Sequence, residues 1–158
     1  MSRRSDSIRF ASKVLGPFGE LEYVLSVDAG WCFQSLEMTV ADRSTSIRRE
    51  RDGWFIGGHR RHDLSGAEEV DISVSPLTNT LPIRRLKLEV GETADIVTAY
   101  ISVPDLHVTP DPQRYTRLSA DQYLYESRDS DFTAIITVDE EGYVLHYPGL
   151  FLRHTAVN

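Results

Sequence analysis

Apolar and polar residues alternate with a period of two along much of this 158-residue chain, a pattern that fits strands covered on one face and poorly fits helices. In FGELEYVLSV, Leu21, Tyr23, Leu25 and Val27 share one side, while Glu20 and Glu22 take the other. SLEMTV repeats the pattern through Leu36, Met38 and Val40, DIVTAYISV through Val97, Ala99, Ile101 and Val103, and FTAIITVD through Phe132, Ala134, Ile136 and Val138. Turn signals interrupt these runs roughly every 8–12 residues, the rhythm of an antiparallel sandwich or barrel. Asp52-Gly53 and Glu140 to Gly142 read as hairpin turns, and Gly91-Glu92 and Pro110 to Pro112 as strand ends. SADQYLYESR has a helix-type start at Ser119, but Tyr123 and Tyr125 favour a strand.

The expected fold is therefore all-β, one domain over residues 1–158, with roughly 10–13 short strands. A net charge of -7 disfavours a nucleic-acid partner, because a polyanion would be repelled at long range. The single cysteine, Cys32, cannot form an intramolecular disulfide and reads as a small buried residue in a strand. No apolar run reaches the roughly 18 residues of a transmembrane helix, and the start lacks a signal-peptide core. A cytoplasmic location is the expectation.

Few motifs suggest chemistry. HRRHD places His59 and His62 three apart, but the arginines between them oppose a dication, so no metal is expected. Nucleotide, nucleophile-elbow and zinc-protease motifs are absent, and no cofactor is implied. Asp28 and Asp71 form an acid–base pair only if the fold brings them together. Arg48, Arg49, Arg51, Arg60 and Arg61 gather on one hairpin, which reads as an anion-binding patch or as charges that keep an edge from aggregating.

The segment SPLTNTLPIRRLKLEV reads as a proline-bounded loop followed by a strand from Ile83. Alternation then puts Arg84 with Leu86, Leu88 and Val90 on the covered face, and Arg85 in solvent. A buried Arg84 requires an acceptor, with Asp71, Asp28 or the Thr78/Asn79 loop as candidates.

VDISVSPLTNTLPIRRL resembles the hallmark segment of the putative glycolipid-binding family of bacterial proteins, matching at Asp71, Ile72, Pro76, Thr78 to Pro82, Ile83, Arg84, Arg85 and Leu86. YVLSVDAGW, QRYTRL and VDEEGYVLHYPGLFLR are similar to further segments of that family, so the resemblance covers most of the chain. It implies a β-roll, or a curved antiparallel sheet wrapped towards a barrel. Before Ile8 the chain looks shorter than its relatives, which predicts an edge strand left open or covered by a second copy in a homodimer.

The resemblance also implies non-enzymatic binding of a lipid or glycolipid in an apolar groove. Asp71, Thr78, Asn79, Arg84, Gln113 and Tyr115 are the expected headgroup ligands. Two rival readings stay open. One is an enzyme acting on a small anionic metabolite, with Asp71 or Asp28 as base. The other is a structural or interaction protein in which the motif only locks a loop.

Overall fold

A computed structural model describes residues 6–153. Among the described residues thirteen strands form two sheets, so the strand-rich fold expected from alternation is found, as is the roll that the resemblance implies. The first sheet is an antiparallel meander in chain order: β1 (Ser7–Gly16), β2 (Gly19–Asp28), β3 (Phe33–Val40), β4 (Arg43–Glu50), β5 (Gly53–Ile56) and β6 (His59–Arg60). β1 is an edge strand of this sheet. The first hairpin turns at Arg51-Asp52, one residue before the expected Asp52-Gly53, with Gly53 opening β5 opposite Glu50, and the second turns at Gly142, whose positive φ of 86° suits glycine.

The second sheet curls into a half-barrel and begins with β7 (Glu69–Ile72), which pairs parallel with β8 (Thr93–Ile101). β9 (Val108–Arg117), β10 (Gln122–Ser127), β11 (Thr133–Val138), β12 (Val144–Tyr147) and β13 (Phe151–Leu152) continue it antiparallel. A parallel pair cannot be closed by a hairpin and needs a crossover. That crossover carries α1 (Leu77–Leu86), so the expected loop and strand from Ile83 are a helix instead.

α1 defeats sequence patterning for physical reasons. Thr78, Asn79, Thr80, Leu81, Pro82 and Ile83 are all buried, so the helix has no polar stripe to give it a readable period. Pro82 sits in the second turn, where its missing N–H removes a bond to the Thr78 carbonyl. Lys87 ends the helix in a left-handed conformation, and Val90, expected on the covered face, is exposed.

Each face of β7 and β8 packs against a different core. Val70, Ile72, Ala99 and Ile101 join Leu21, Leu25, Leu36, Ile47 and Trp54 between the sheets. On the other side the half-barrel wraps α1, where Ile83 and Leu88 meet Tyr115, Tyr123, Ile136 and Val138. Cys32 is half-buried and lies just before β3, after Trp31 turns the chain at φ 66°. Gln122–Ser127 is a strand, as Tyr123 and Tyr125 suggest.

Pro110 and Pro112 do not end a strand but lie inside β9. The Pro112 carbonyl accepts from the Arg128 amide on the side facing β10. In a strand a residue's nitrogen points the same way as its carbonyl, and β10 pairs with β9 only from Gln113 onwards. The proline nitrogens therefore point where no ladder bond is required.

Candidate functional site

The first turn of α1 sits over the polar face of β7, β8 and β9. The Thr78 hydroxyl lies 3.2 Å from Asp71 Oδ1 and accepts from the Ile72 amide at 3.1 Å, tying helix to strand. Gln113 Nε2 donates to Asp71 Oδ2 at 2.7 Å and lies 2.9 Å from Asp111 Oδ2 and 3.1 Å from Thr98 Oγ1. Asn79 Nδ2 donates to the Tyr115 hydroxyl at 2.9 Å. Five of the six residues expected from sequence thus gather beside one helix turn: Asp71, Thr78, Asn79, Gln113 and Tyr115.

The electrostatics of this cluster are one-sided. No arginine, lysine or histidine forms an ion pair with Asp71 or Asp111 among the described residues. Burial pushes the Asp71 carboxyl up to about 6, the Gln113 and Thr78 bonds oppose the shift, and Asp111 and Glu69 add to it. Burial also raises Asp111, with Gln113 opposing and Asp129 reinforcing. The hydroxyls of Tyr100, Tyr115, Tyr125 and Tyr147 are each pushed upwards by burial first and by the Asp71 charge second.

Aromatic rings continue the cluster. Tyr115 meets Tyr125 edge-on at 5.5 Å, Tyr125 meets Phe132 at 6.0 Å, and Phe132 stacks with Tyr147 at 6.4 Å. Phe132 stays 44% exposed, so the aromatic patch runs from the buried Tyr115 out to solvent. Gln113 is almost wholly buried, and its Oε1 has no hydrogen-bond donor among the described residues. A buried acceptor of this kind is uncommon and calls for an explanation.

Arg84 stands apart from this group. It donates to the Glu141 carbonyl at 2.9 Å and lies 4.7 Å over the Trp31 ring. There it lines a separate groove of about 360 Å3 with Trp31, Ile83, Lys87, Arg117 and Tyr123. The arginine that faces a buried acid is Arg85, which grips Glu69. Consecutive helix residues point about 100° apart rather than to opposite faces, so a strand reading assigned the two arginines wrongly.

The other sequence candidates are engaged elsewhere. Asp28 accepts from the Gly30 and Cys32 amides at 2.9 and 3.0 Å, so it serves as a turn cap. Arg49 pairs with Glu68 at 3.0 Å and Arg61 with Asp63 at 2.9 Å, which neutralises part of the arginine hairpin. No group of three metal-type ligands forms among the described residues.

Sequence reasoning missed Asp111, Thr98, Tyr100, Tyr125 and Tyr147. One signal was available: Asp111, Gln113 and Tyr115 are two apart and share a strand face. The reading of Pro110 to Pro112 as a strand end concealed it.

These features define a two-sheet β-roll whose half-barrel encloses a helix and a buried polar cluster. The chain belongs to the putative glycolipid-binding family, whose model matches residues 2–153. It is similar to the crystal structure of a DUF1089 family protein from Pseudomonas aeruginosa, with 34% identity and a TM-score of 0.83, over 98% of this chain and 95% of that one. No curated protein matches. No helix among the described residues is long and apolar enough to cross a membrane.

Proposed function

We propose that this protein binds a lipid or glycolipid without chemical turnover, holding the polar headgroup at the Asp71–Gln113 cluster. The observation that carries the reading is a part-buried carboxylate, without a cationic partner among the described residues, bonded to the buried Gln113 amide. Headgroup hydroxyls donate to the part-exposed Asp71 and Asp111 carboxylates, and the Tyr125–Phe132–Tyr147 rings offer flat apolar faces of the kind that pack on sugars or lipid chains. The name of the matched family supports this choice of ligand class.

Native mass spectrometry of the protein purified from its own host, followed by lipid extraction, tests the proposal. A discrete lipid or glycolipid is expected, lost in a folded Asp71→Ala variant and retained in Arg84→Ala. A clean unliganded mass for the wild type, with no binding of the host lipid extract, would overturn it.

The raised Asp71 carboxyl favours one alternative, a general base acting on a small metabolite. Arg84 lies outside the cluster, so that reading lacks the cationic grip for an anionic substrate. Chemical change of the extracted ligand on incubation with fresh protein would select it.

A further inference from the structure

Arg9, Arg43, Arg48, Arg51 and Arg128 form no ion pair among the described residues, and all are exposed, so water satisfies them. Arg84 and Arg117 form none either, yet both are half-buried. A guanidinium drawn partly out of water without a carboxylate is costly, so its position calls for an anion. Both side chains line the groove of about 360 Å3 at the C-terminal end of α1, and Lys87, also without an ion pair among the described residues, is the third cation on its wall.

Neutral groups hold the two guanidiniums in place. Arg117, at the end of β9, donates to the carbonyls of Leu88, Ser119 and Ala120 at 2.8, 3.2 and 2.9 Å. Arg84 donates to the Glu141 carbonyl and rests on the Trp31 ring. A guanidinium has more N–H groups than these contacts use, so each keeps donors for a further acceptor. The end of α1 carries only about half a unit of negative charge, which three cations exceed. The acids on the groove wall do not balance them. Asp139 spends its carboxylate on the Glu141 and Tyr143 amides and on Arg153. Glu140 and Glu141 are exposed at the hairpin, and neither comes within ion-pair distance of a groove cation.

We propose that this groove is a second ligand site, for a phosphate group, at the opposite end of α1 from the Asp71–Gln113 cluster. Three cations spread over the helix end and β9 match a tetrahedral dianion, whereas a planar carboxylate is satisfied by one guanidinium fork. The groove volume falls within the roughly 300–1,000 Å3 of small-molecule sites, which leaves room for the group that bears the phosphate. That bearer is a small soluble ester or a lipid headgroup. The site is independent of the lipid reading above.

Lys13 and Lys87 are the only lysines in the chain, which makes them paired reporters. Lys13 pairs with Glu20 and Glu22 on the first sheet, away from the groove. Reductive methylation with isotope-labelled formaldehyde keeps both charges. NMR of the whole protein then follows each lysine during titration with inorganic phosphate, glycerol phosphate or acetate at constant ionic strength. A saturable shift at Lys87 with Lys13 unmoved is expected, with phosphate about tenfold tighter than acetate. Arg84→Gln should weaken the phosphate response about tenfold, as loss of one charge-assisted hydrogen bond does. Tighter binding of glycerol phosphate than of inorganic phosphate assigns a soluble ester. Flotation with phosphatidic acid vesicles, lost in Arg84→Gln, assigns a lipid phosphate. The wild-type titration needs no variant to decide. No shift at Lys87 with either phosphate probe, equal shifts at both lysines, or an equal response to acetate overturns the site.

Discussion

Arg85 and Glu69 face each other through two parallel hydrogen bonds, Nε to Oε2 at 2.7 Å and Nη2 to Oε1 at 3.0 Å. The pair joins the last turn of α1 to the start of β7, and Glu69 is wholly shielded from solvent. It closes the crossover that the parallel strands require. Arg84, its neighbour in sequence, points away and rests on Trp31. The inward-facing arginine of the motif is therefore Arg85, and its role is to hold the helix inside the half-barrel.

Breaking that pair on one side leaves a buried carboxylate without a partner. Arg85→Met should lower stability by about 3–5 kcal/mol, while the double variant Glu69→Leu/Arg85→Met should regain most of the loss. Chemical denaturation of both variants measures this. A single-variant loss below about 1 kcal/mol would show that the pair is not the clamp described here.

Asp71 gives stability a pH dependence of unusual sign. Its folded carboxyl titrates at about 6, against 3.8 for the ordinary group. Between those values the folded state holds a proton that the unfolded state has released, so stability falls as pH rises through this window and then levels off. The shift corresponds to about 3 kcal/mol. Asp71→Asn should remove that slope and raise the melting temperature at pH 7.5. An unchanged slope between pH 4 and 6 would contradict the assignment.

Tyr115→Phe removes the acceptor of Asn79 Nδ2 without changing ring packing. The stranded buried amide should cost about 1–3 kcal/mol. Tyr123→Phe is the matched control, because the Tyr123 hydroxyl makes no hydrogen bond among the described residues, and its effect should stay within about 0.5 kcal/mol. Equal losses from the two variants would argue against the Asn79–Tyr115 bond.

Gly142 has φ 86°, and a Cβ there would lie 3.2 Å from both Arg84 Cδ and Ile83 Cγ2. Gly19 has a similar φ of 97° with nothing within 4 Å. Both alanine variants carry the left-handed backbone penalty of about 1 kcal/mol, and Gly142→Ala should cost measurably more. Thermal unfolding of the two proteins side by side gives the comparison. Equal melting temperatures would mean that the hairpin does not press on α1.

Much of the strand framework was legible in the sequence, because side-chain alternation is a local property. Leu21 to Val27, Leu36 to Val40 and Ala134 to Val138 announce their covered faces without reference to any partner. Asp52 and Gly142 mark turns for the same reason, although the first turn sits one residue earlier than expected, and the TNTLPIRRL segment carried the family resemblance. Spacing offered Asp71, Thr78 and Asn79 only as acceptors for Arg84, and the resemblance added Gln113 and Tyr115 to make them a group.

Only the tertiary structure decided that residues 77–86 are a helix and that Arg85, not Arg84, meets an acid. A helix buried on every side has no amphipathic stripe, and its need arises from the parallel pairing of β7 with β8, a contact between distant segments. The cluster has the same origin. Asp71 and Gln113 lie on strands separated by β8, and their 2.7 Å contact exists because the sheet order is β7, β8, β9. Alternation tells each strand which face is covered, but it contains no information about which strand lies beside it.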